Sequence, residues 1–275
     1  MLKVAVVGAT GYTGRELVKI LTAHRRVEIT SLSAKLEKSI KIQDEFPELA
    51  GLIDMPCTNL QVEEVCRKSD LVFLALPHTV SMQFAGAFLQ AGKKVVDLSA
   101  DYRFAQRETY EEWYGAKHLD PEGLKKAVYG LPELFRDEIK TADLIANPGC
   151  YPTGAILGIY PALKENLVST EQIIVDAKTG VTGAGRKANL DFLFPEVNEN
   201  FKAYSLISHK HTPEMETILS RITNREVRIE FAPHLLPTNR GIMSTIYLKL
   251  EKDCCEKEIL EIYQRYFNQE PFVKV

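Results

Sequence analysis

Residues 3–14 read Lys-Val-Ala-Val-Val-Gly-Ala-Thr-Gly-Tyr-Thr-Gly, an apolar run that ends in three evenly spaced glycines. The run predicts a buried strand, and residues 14–24 carry the apolar spacing of a helix. Gly8 permits the tight turn, Gly11 lets the backbone approach a pyrophosphate, and Gly14 allows close packing of helix on strand. We therefore predict a dinucleotide-binding turn. Its predicted ligand contacts are Gly8, Thr10, Gly11, Tyr12, Thr13 and Gly14.

The end of the second predicted strand, residues 27–32, indicates which dinucleotide binds. An acidic side chain at this place would bind the 2′-hydroxyl of NAD. The chain has none there and instead reads Ser-Leu-Ser-Ala-Lys over residues 31–35. Hydroxyls and a cation suit a 2′-phosphate, so we predict NADP(H), bound with the help of Ser33 and Lys35. The alternative is that Lys35 is only a solvated loop charge.

The rest of the first half alternates apolar runs with helical stretches. The runs suit strands that are buried on both faces of a parallel sheet. Residues 81–91 read as a crossover helix between two of them. We predict a doubly wound, Rossmann-type α/β domain over residues 1–149. Its further strands are predicted at residues 70–76, 94–98 and 142–146.

After Cys150 the predicted strands alternate apolar and polar residues, which is typical of a mixed sheet with one covered face. We predict an α+β domain for catalysis and oligomerisation over residues 150–275. Its strands are predicted at residues 172–178, 226–233 and 243–250, its helices at residues 214–222 and 256–267, and a last strand-like fragment at residues 270–275.

Composition excludes several classes of protein. The 275 residues are 45% hydrophobic and 26% charged, which is the balance of a folded two-domain protein. The net charge of −3 gives no basic excess for nucleic acid, and no apolar run is long enough for a membrane span or a signal peptide. The five cysteines form no C-x-x-C pair. We expect a cytoplasmic protein without a disulfide framework.

One cysteine differs from the others in its surroundings. Asn147-Pro148-Gly149-Cys150 places a thiol between the end of a strand and the start of a helix. The field at a helix N-terminus favours the thiolate, so we predict that Cys150 is a nucleophile.

Residues 208–214, Ser-His-Lys-His-Thr-Pro-Glu, supply groups that move and hold protons. Nucleophilic thiol chemistry needs a base and a group that orients the base. His209, His211 and Glu214 can fill these roles, with His209 slightly favoured as the direct partner of the thiol. His-x-His is also a metal-ligand spacing, but no further cluster completes a site, so we predict no metal.

A second glycine-rich loop, Lys-Thr-Gly-Val-Thr-Gly-Ala-Gly-Arg over residues 178–186, follows another predicted strand. Backbone N–H groups between Lys178 and Arg186 favour phosphate or carboxylate binding over a plain hairpin turn. A nicotinamide cofactor and an activated thiol in one chain together indicate acyl or aldehyde chemistry, in which the thiolate attacks an acyl phosphate.

Several longer motifs resemble the N-acetyl-γ-glutamyl-phosphate reductase family, whose fold is similar to aspartate-semialdehyde dehydrogenase. The resemblance implies NADPH-dependent reduction of N-acetyl-L-glutamyl 5-phosphate to the 5-semialdehyde in arginine biosynthesis, in a homodimer or homotetramer. It also implies that Cys150 is the nucleophile, that the loop of His209 and His211 supplies the acid–base group, and that residues Arg103, Asn147, Lys178, Gly183 and Arg186 contact the substrate. The motifs are GATGYTG at 8–14, ALPH at 75–78, DLSADYRF at 97–104, YGLPEL at 129–134, NPGCYPT at 147–153, KTGVTGAGR at 178–186, HKHTPE at 209–214 and HLLPTNRGI at 234–242.

Two alternatives stay open at this point. One is a lysine-pathway reductase that acts on an aminoadipyl phosphate, because one methylene is worth only about 1–3 kcal/mol in a pocket. The other is an NADP-binding sensor without catalysis. Family members continue past the position of Val275 with a glycine-rich segment that returns to the cofactor domain. Since this sequence has no such segment, we expect either a truncated sequence or incomplete cofactor binding.

Overall fold

The computed structural model describes residues 1–275, which form two compact units, residues 1–148 and residues 149–275. None of its helices has the length and apolarity needed to cross a membrane. None of the five cysteines is in a disulfide.

The first unit contains an eight-stranded sheet in the order β3-β4-β2-β1-β5-β6-β8-β7. All neighbouring pairs are parallel except β3 with β4, which confirms the predicted Rossmann-type sheet. The order reverses at β1, which has β2 on one side and β5 on the other. The strands are β1 Leu2–Val7, β2 Val27–Ser33, β3 Ile40–Lys41, β4 Pro56–Thr58, β5 Leu71–Leu74, β6 Lys94–Asp97, β7 Val128–Tyr129 and β8 Leu144–Ala146.

Apolar clusters cover both faces of this sheet, which explains why its strands are continuous apolar runs. In β1, Val4 and Val6 face a cluster with Val18 and Leu32, while alternate residues of the strand face a second cluster that contains Phe88. Helices cover the two faces. They are α1 Tyr12–Thr22, α2 Ile42–Glu45, α3 Val62–Lys68, α4 Ala85–Gln90, α5 Arg107–Tyr114, α6 Pro121–Lys126 and α7 Pro132–Thr141.

The second unit is a four-stranded mixed sheet in the order β10-β11-β9-β12. β9 pairs in parallel with β11 and antiparallel with β12. Helices α8 and α10 cover the inner face, where Ile173, Val175 and Phe231 of the sheet are buried, and α11 packs against α8. The elements are α8 Cys150–Lys164, β9 Val168–Thr179, α9 Phe194–Val197, β10 Lys202–Ala203, α10 His211–Thr223, β11 Ile229–Leu235, β12 Ile242–Leu250 and α11 Glu256–Phe267.

Two predicted elements differ from the structure. The crossover predicted as one helix over residues 81–91 is a 3₁₀ turn, Ser81–Gln83, followed by α4. The strand-like fragment predicted at residues 270–275 is wrong, because these residues form a turn and coil.

Candidate active site

The first glycine-rich turn joins β1 to α1. Gly8 has a φ of +91°, and a Cβ placed on it would lie 2.1 Å from the carbonyl oxygen of Ala75. A Cβ on Gly14 would lie 2.2 Å from the carbonyl oxygen of Gly8, whereas at Gly11 the nearest protein atom would be 3.5 Å away. Thr10, between them, is partly exposed. The fold thus requires glycine at the first and third positions and leaves the middle position open for a ligand.

Helix α1 begins directly after this turn, and no side chain caps it. Its first intrahelical bond runs from the N–H of Arg15 to the carbonyl of Gly11, at 2.9 Å. The N–H groups of Tyr12, Thr13 and Gly14 precede that bond and lie at the positive end of the helix dipole. These residues fit the pyrophosphate of a dinucleotide.

The end of β2 meets the same turn. The carbonyl oxygen of Ser33 accepts hydrogen bonds from the N–H groups of Gly8, at 2.7 Å, and Ala9, at 3.0 Å. Ser33 is buried, and Lys35 is exposed. The backbone of Ser33 therefore fixes the turn, and Lys35 is the cation of this stretch that a 2′-phosphate can reach.

Arg15, which no motif marks, lies beside the turn. Its guanidinium carbon is 5.2 Å from the ring centroid of Tyr12 and 5.5 Å from that of Phe46. One of its nitrogens also pairs with Glu48 at 3.2 Å. Arg15 ties α1 to the segment after β3, and the sequence gives no signal for this because its partners come from a distant, irregular stretch.

Arg103 and Asn147, two predicted substrate contacts, lie together at the carboxyl edge of the first sheet. Nε of Arg103 donates to the carbonyl oxygen of Asn147 at 2.8 Å, and Nη2 donates to that of Leu98 at 3.1 Å. The N–H of Asn147 donates to the carbonyl of Asp97 at 2.8 Å. The buried guanidinium therefore cross-links the segments that follow β6 and β8.

Two buried carboxylates shape the loop after β6. Asp97 accepts hydrogen bonds from the N–H and hydroxyl of Ser99, at 3.1 and 2.7 Å. Asp101 accepts hydrogen bonds from the N–H groups of Thr79, at 2.7 Å, and Met82, at 3.0 Å. Burial raises the pKa of Asp97 to about 6. The loops after β5 and β6 are thereby held together at the edge where the glycine turn lies.

Cys150 is the first residue of α8, and it is exposed. The first intrahelical bond runs from the N–H of Thr153 to the carbonyl of Gly149, at 3.0 Å. Pro152 has no N–H to offer. The two N–H groups that precede the intrahelical ladder therefore belong to Cys150 and Tyr151.

Glu214 reaches back to the turn that holds the thiol. Its carboxylate is buried in the first turn of α10 and accepts a hydrogen bond from the N–H of Gly149 at 2.8 Å. The bond fixes the backbone next to Cys150. The orientation of a histidine by Glu214 stays a prediction.

The ring of His209 is enclosed by aromatic side chains from several elements. Its centroid lies 5.5 Å from that of Tyr151, 5.7 Å from that of Tyr204 and 5.1 Å from that of Phe231, each edge to face. The ring of His211 is 4.8 Å away and also contacts Tyr151 edge to face. Both predicted imidazoles thus contact the residue that follows Cys150.

Tyr151 and Tyr204 form a hydrogen-bonded phenol pair, with 2.8 Å between their oxygens. Burial raises the pKa of both phenols, and the nearby Cys150 adds to the increase. Both phenols are therefore protonated at neutral pH. No sequence signal reveals the pair, because Tyr204 lies in a loop 53 residues beyond Tyr151.

Lys178 lies on the outer face of the second sheet, opposite the face that the helices cover. Its ammonium pairs with Asp176 on the same strand, and Nδ1 of His234 is 3.3 Å from the other oxygen of that carboxylate. The next residue, Thr179, faces inward and is buried. Since side chains alternate across a strand, the structure does not bring Lys178 together with the thiol.

The second glycine-rich loop is joined to the loop that precedes β12. The N–H groups of residues 180–182 donate to carbonyl groups of residues 238–241, at 2.9 to 3.1 Å. A Cβ on Gly180 would lie 2.6 Å from the backbone of this partner loop. Gly183 and Arg186 lie beyond the joined part and are exposed.

Two family models match the chain. Residues 3–142 match the model described as semialdehyde dehydrogenase, NAD binding domain. Residues 150–275 match the model described as semialdehyde dehydrogenase, dimerisation domain.

Curated relatives match over the full chain. The chain is 49% identical over 276 residues to the N-acetyl-gamma-glutamyl-phosphate reductase of Geobacter sulfurreducens. The alignment covers 100% of this chain and 80% of the relative. It is 48% identical over 274 residues to the enzyme of the same name from Pelotomaculum thermopropionicum, covering 100% of this chain and 79% of the relative.

Solved structures show the same fold at low identity. The aspartate semialdehyde dehydrogenase of Candida albicans, solved with NADP, superimposes with a TM-score of 0.71 at 17% identity, over 95% of this chain and 75% of that one. Aspartate semialdehyde dehydrogenase II of Vibrio cholerae gives a TM-score of 0.69 at 16% identity, over 95% and 78%.

Proposed function

Because the chain belongs to the N-acetyl-γ-glutamyl-phosphate reductase family, we propose that Cys150 carries its reaction through a thioester. The protein is an NADP-dependent oxidoreductase of arginine biosynthesis that converts N-acetyl-L-glutamyl 5-phosphate to the 5-semialdehyde. The observation that carries this proposal is the position of Cys150 at the first residue of α8. A cytoplasmic location is part of this proposal, because the relatives named above are biosynthetic enzymes.

Formation of the thioester follows from what surrounds the thiol. The dipole of α8 favours the thiolate, which attacks the acyl carbon while the bond to phosphate breaks. In this proposal the N–H groups of Cys150 and Tyr151, at the start of α8, bind the oxygen that becomes negative during the attack. Glu214 stabilises this arrangement because it holds the N–H of Gly149.

Proton transfer to and from the thiol belongs, in this proposal, to the loop of His209 and His211. Both rings contact Tyr151, the residue that follows Cys150, and this contact supports the assignment of a histidine as the general base. The imidazole accepts the proton of the thiol and gives a proton to the departing phosphate.

The cofactor is held, in this proposal, by the turn at residues 8–14, with Ser33 fixing the turn and Lys35 at the 2′-phosphate. The open space at Gly11 and the donors at the start of α1 support this assignment. When bound, NADPH supplies the hydride that reduces the thioester.

The substrate phosphate is bound, in this proposal, by Arg186 and the backbone at Gly183, because both are exposed on the anchored second glycine loop. Within the first unit, Arg103 holds the backbone of Asn147 in place. The ion pair of Lys178 with Asp176 favours a structural role for this lysine over substrate contact.

The test of the nucleophile is a covalent adduct. Incubation with the acyl phosphate in the absence of NADPH should leave the acyl group on the peptide that contains Cys150, as mass spectrometry would detect. Cys150→Ser should fold, bind NADPH and lose nearly all turnover. Cys255→Ser removes a second exposed thiol and serves as the matched control, with turnover unchanged. An adduct on another cysteine, or turnover in Cys150→Ser, contradicts the proposal.

We also propose that the protein forms a homo-oligomer through its second unit. The family model that matches this unit is described as a dimerisation domain, which supports the proposal. The outer face of its sheet exposes Ile174 and Tyr247, which are paired across β9 and β12, and Met243. A second copy of the chain would bury this apolar surface.

Light scattering should show an oligomer. The double variant Ile174→Lys, Tyr247→Lys should convert this oligomer to monomers. Ile20→Lys, at an exposed apolar position of α1, should leave the mass unchanged.

A further inference from the structure

The position of the proton on His209 is fixed by a backbone contact. The N–H of His211 donates a hydrogen bond to Nδ1 of His209 at 3.1 Å. A ring nitrogen that accepts a hydrogen bond carries no proton, so the neutral ring has its proton on Nε2. His209 therefore presents an N–H donor on its other side, while the lone pair on Nδ1 is already engaged.

The surroundings of the ring keep it neutral. Three aromatic rings pack edge to face against it, and burial lowers the pKa of His209 to about 4. The titratable groups that face it are Tyr151 from α8, Tyr204 from the segment after β10 and His211 from α10, with Cys150 beside the two phenols. An imidazole in this setting is a hydrogen-bond donor at neutral pH.

A general base for the thiol needs a lone pair directed at the proton, and two nearby groups are engaged elsewhere. The carboxylate of Glu214 holds the N–H of Gly149. The lone pair of His209 is engaged by the N–H of His211. His234, the remaining imidazole of this unit, pairs with Asp176 on the outer face of the sheet. This leaves His211 as the imidazole for proton transfer.

We propose that His209 donates a hydrogen bond from Nε2 to the acyl oxygen of the substrate and that His211 alone exchanges the proton of Cys150. This division of roles rests on the proposed function. When the C–S bond forms, the π electrons of the carbonyl move to the acyl oxygen. The N–H of His209 stabilises that negative charge until the electrons return and phosphate departs with the electron pair of the broken C–O bond. The proton of the thiol passes to His211 and leaves with the phosphate.

The tautomer is tested on the resting protein by ¹⁵N NMR of the histidine side chains. The His209 resonances, assigned by their loss in His209→Asn, should show a protonated Nε2 and a bare Nδ1. They should stay in that state as the pH is lowered from about 8 to about 5. A proton on Nδ1, or titration of His209 near its ordinary pKa, overturns the proposal. This measurement does not depend on turnover. Its result is therefore independent of whether Cys150 is the nucleophile.

The division of roles is tested by the pH dependence of Cys150 alkylation and by turnover. His209→Asn retains an oxygen acceptor and an N–H donor, whereas His209→Phe retains neither. We expect turnover to fall by about 10²–10³-fold in His209→Phe and to recover partly in His209→Asn. The midpoint of the alkylation profile should be unchanged in both variants and should move in His211→Asn. A shifted midpoint in His209→Asn, or equal turnover in the two His209 variants, contradicts the proposal.

Discussion

Gly11 differs from the two glycines on either side of it in what a side chain there would meet. A Cβ at Gly14 overlaps the backbone at 2.2 Å, while a Cβ at Gly11 makes only ordinary contact at 3.5 Å. We predict that Gly11→Ala weakens NADPH binding at least about tenfold with a stability change within about 1 kcal/mol. Gly14→Ala should instead destabilise the fold by about 1–3 kcal/mol. Fluorescence titration and urea unfolding separate the two effects, and unchanged NADPH affinity in folded Gly11→Ala would refute the assignment.

Asp97 gives the stability of the protein a defined pH dependence. Burial raises its pKa from 3.8 to about 6, so the protonated form stabilises the fold at low pH. This contribution is full below the unfolded value and is lost as the pH rises through about 6. Asp97→Asn is neutral at every pH. The stability of the native protein relative to this variant should therefore fall by up to about 3 kcal/mol between pH about 4 and about 7 in urea unfolding. A constant difference would show that Asp97 does not titrate in this range.

At the scale of elements, the junction of two loops is sensitive to a single methyl group. A Cβ at Gly180 would lie 2.6 Å from the backbone of the loop at residues 238–241, whereas one at Gly183 would lie 3.7 Å from its nearest neighbour. We predict that Gly180→Ala separates the loops, raises KM for the acyl phosphate severalfold and lowers Tm. Gly183→Ala is the matched control for stability and should leave Tm close to that of the native protein. Equal Tm values for the two variants would rule out a steric role for Gly180.

The elements that the sequence predicts are those whose evidence is local. The strand, turn and helix at residues 2–22 follow from adjacent residues, and so does the position of Cys150 at a helix start. Strands β3, β7 and β10 have two residues each, which is too short to show any period. The bond of Glu214 to Gly149 and the pairing of Tyr151 with Tyr204 join distant segments, so only the fold reveals them.

At the scale of the whole molecule, each unit has its own apolar core. Residues 1–148 form one compact unit whose two clusters cover both faces of the eight-stranded sheet. We predict that residues 1–148, expressed alone, fold cooperatively and bind NADPH, as circular dichroism and fluorescence titration would show. The same fragment with Gly11→Ala should fold equally well and bind more weakly. A fragment that stays unfolded would show that the unit needs residues 149–275.

The contact between Gly149 and Glu214 has a consequence for biosynthesis. The two residues are 65 positions apart, and the aromatic ring of Phe231 comes later still. At about 5–20 residues per second, a ribosome needs several seconds to make the chain between Cys150 and the last of these partners. The contacts that fix the backbone beside Cys150 and enclose Tyr151 therefore form only after residues up to Phe231 have been made.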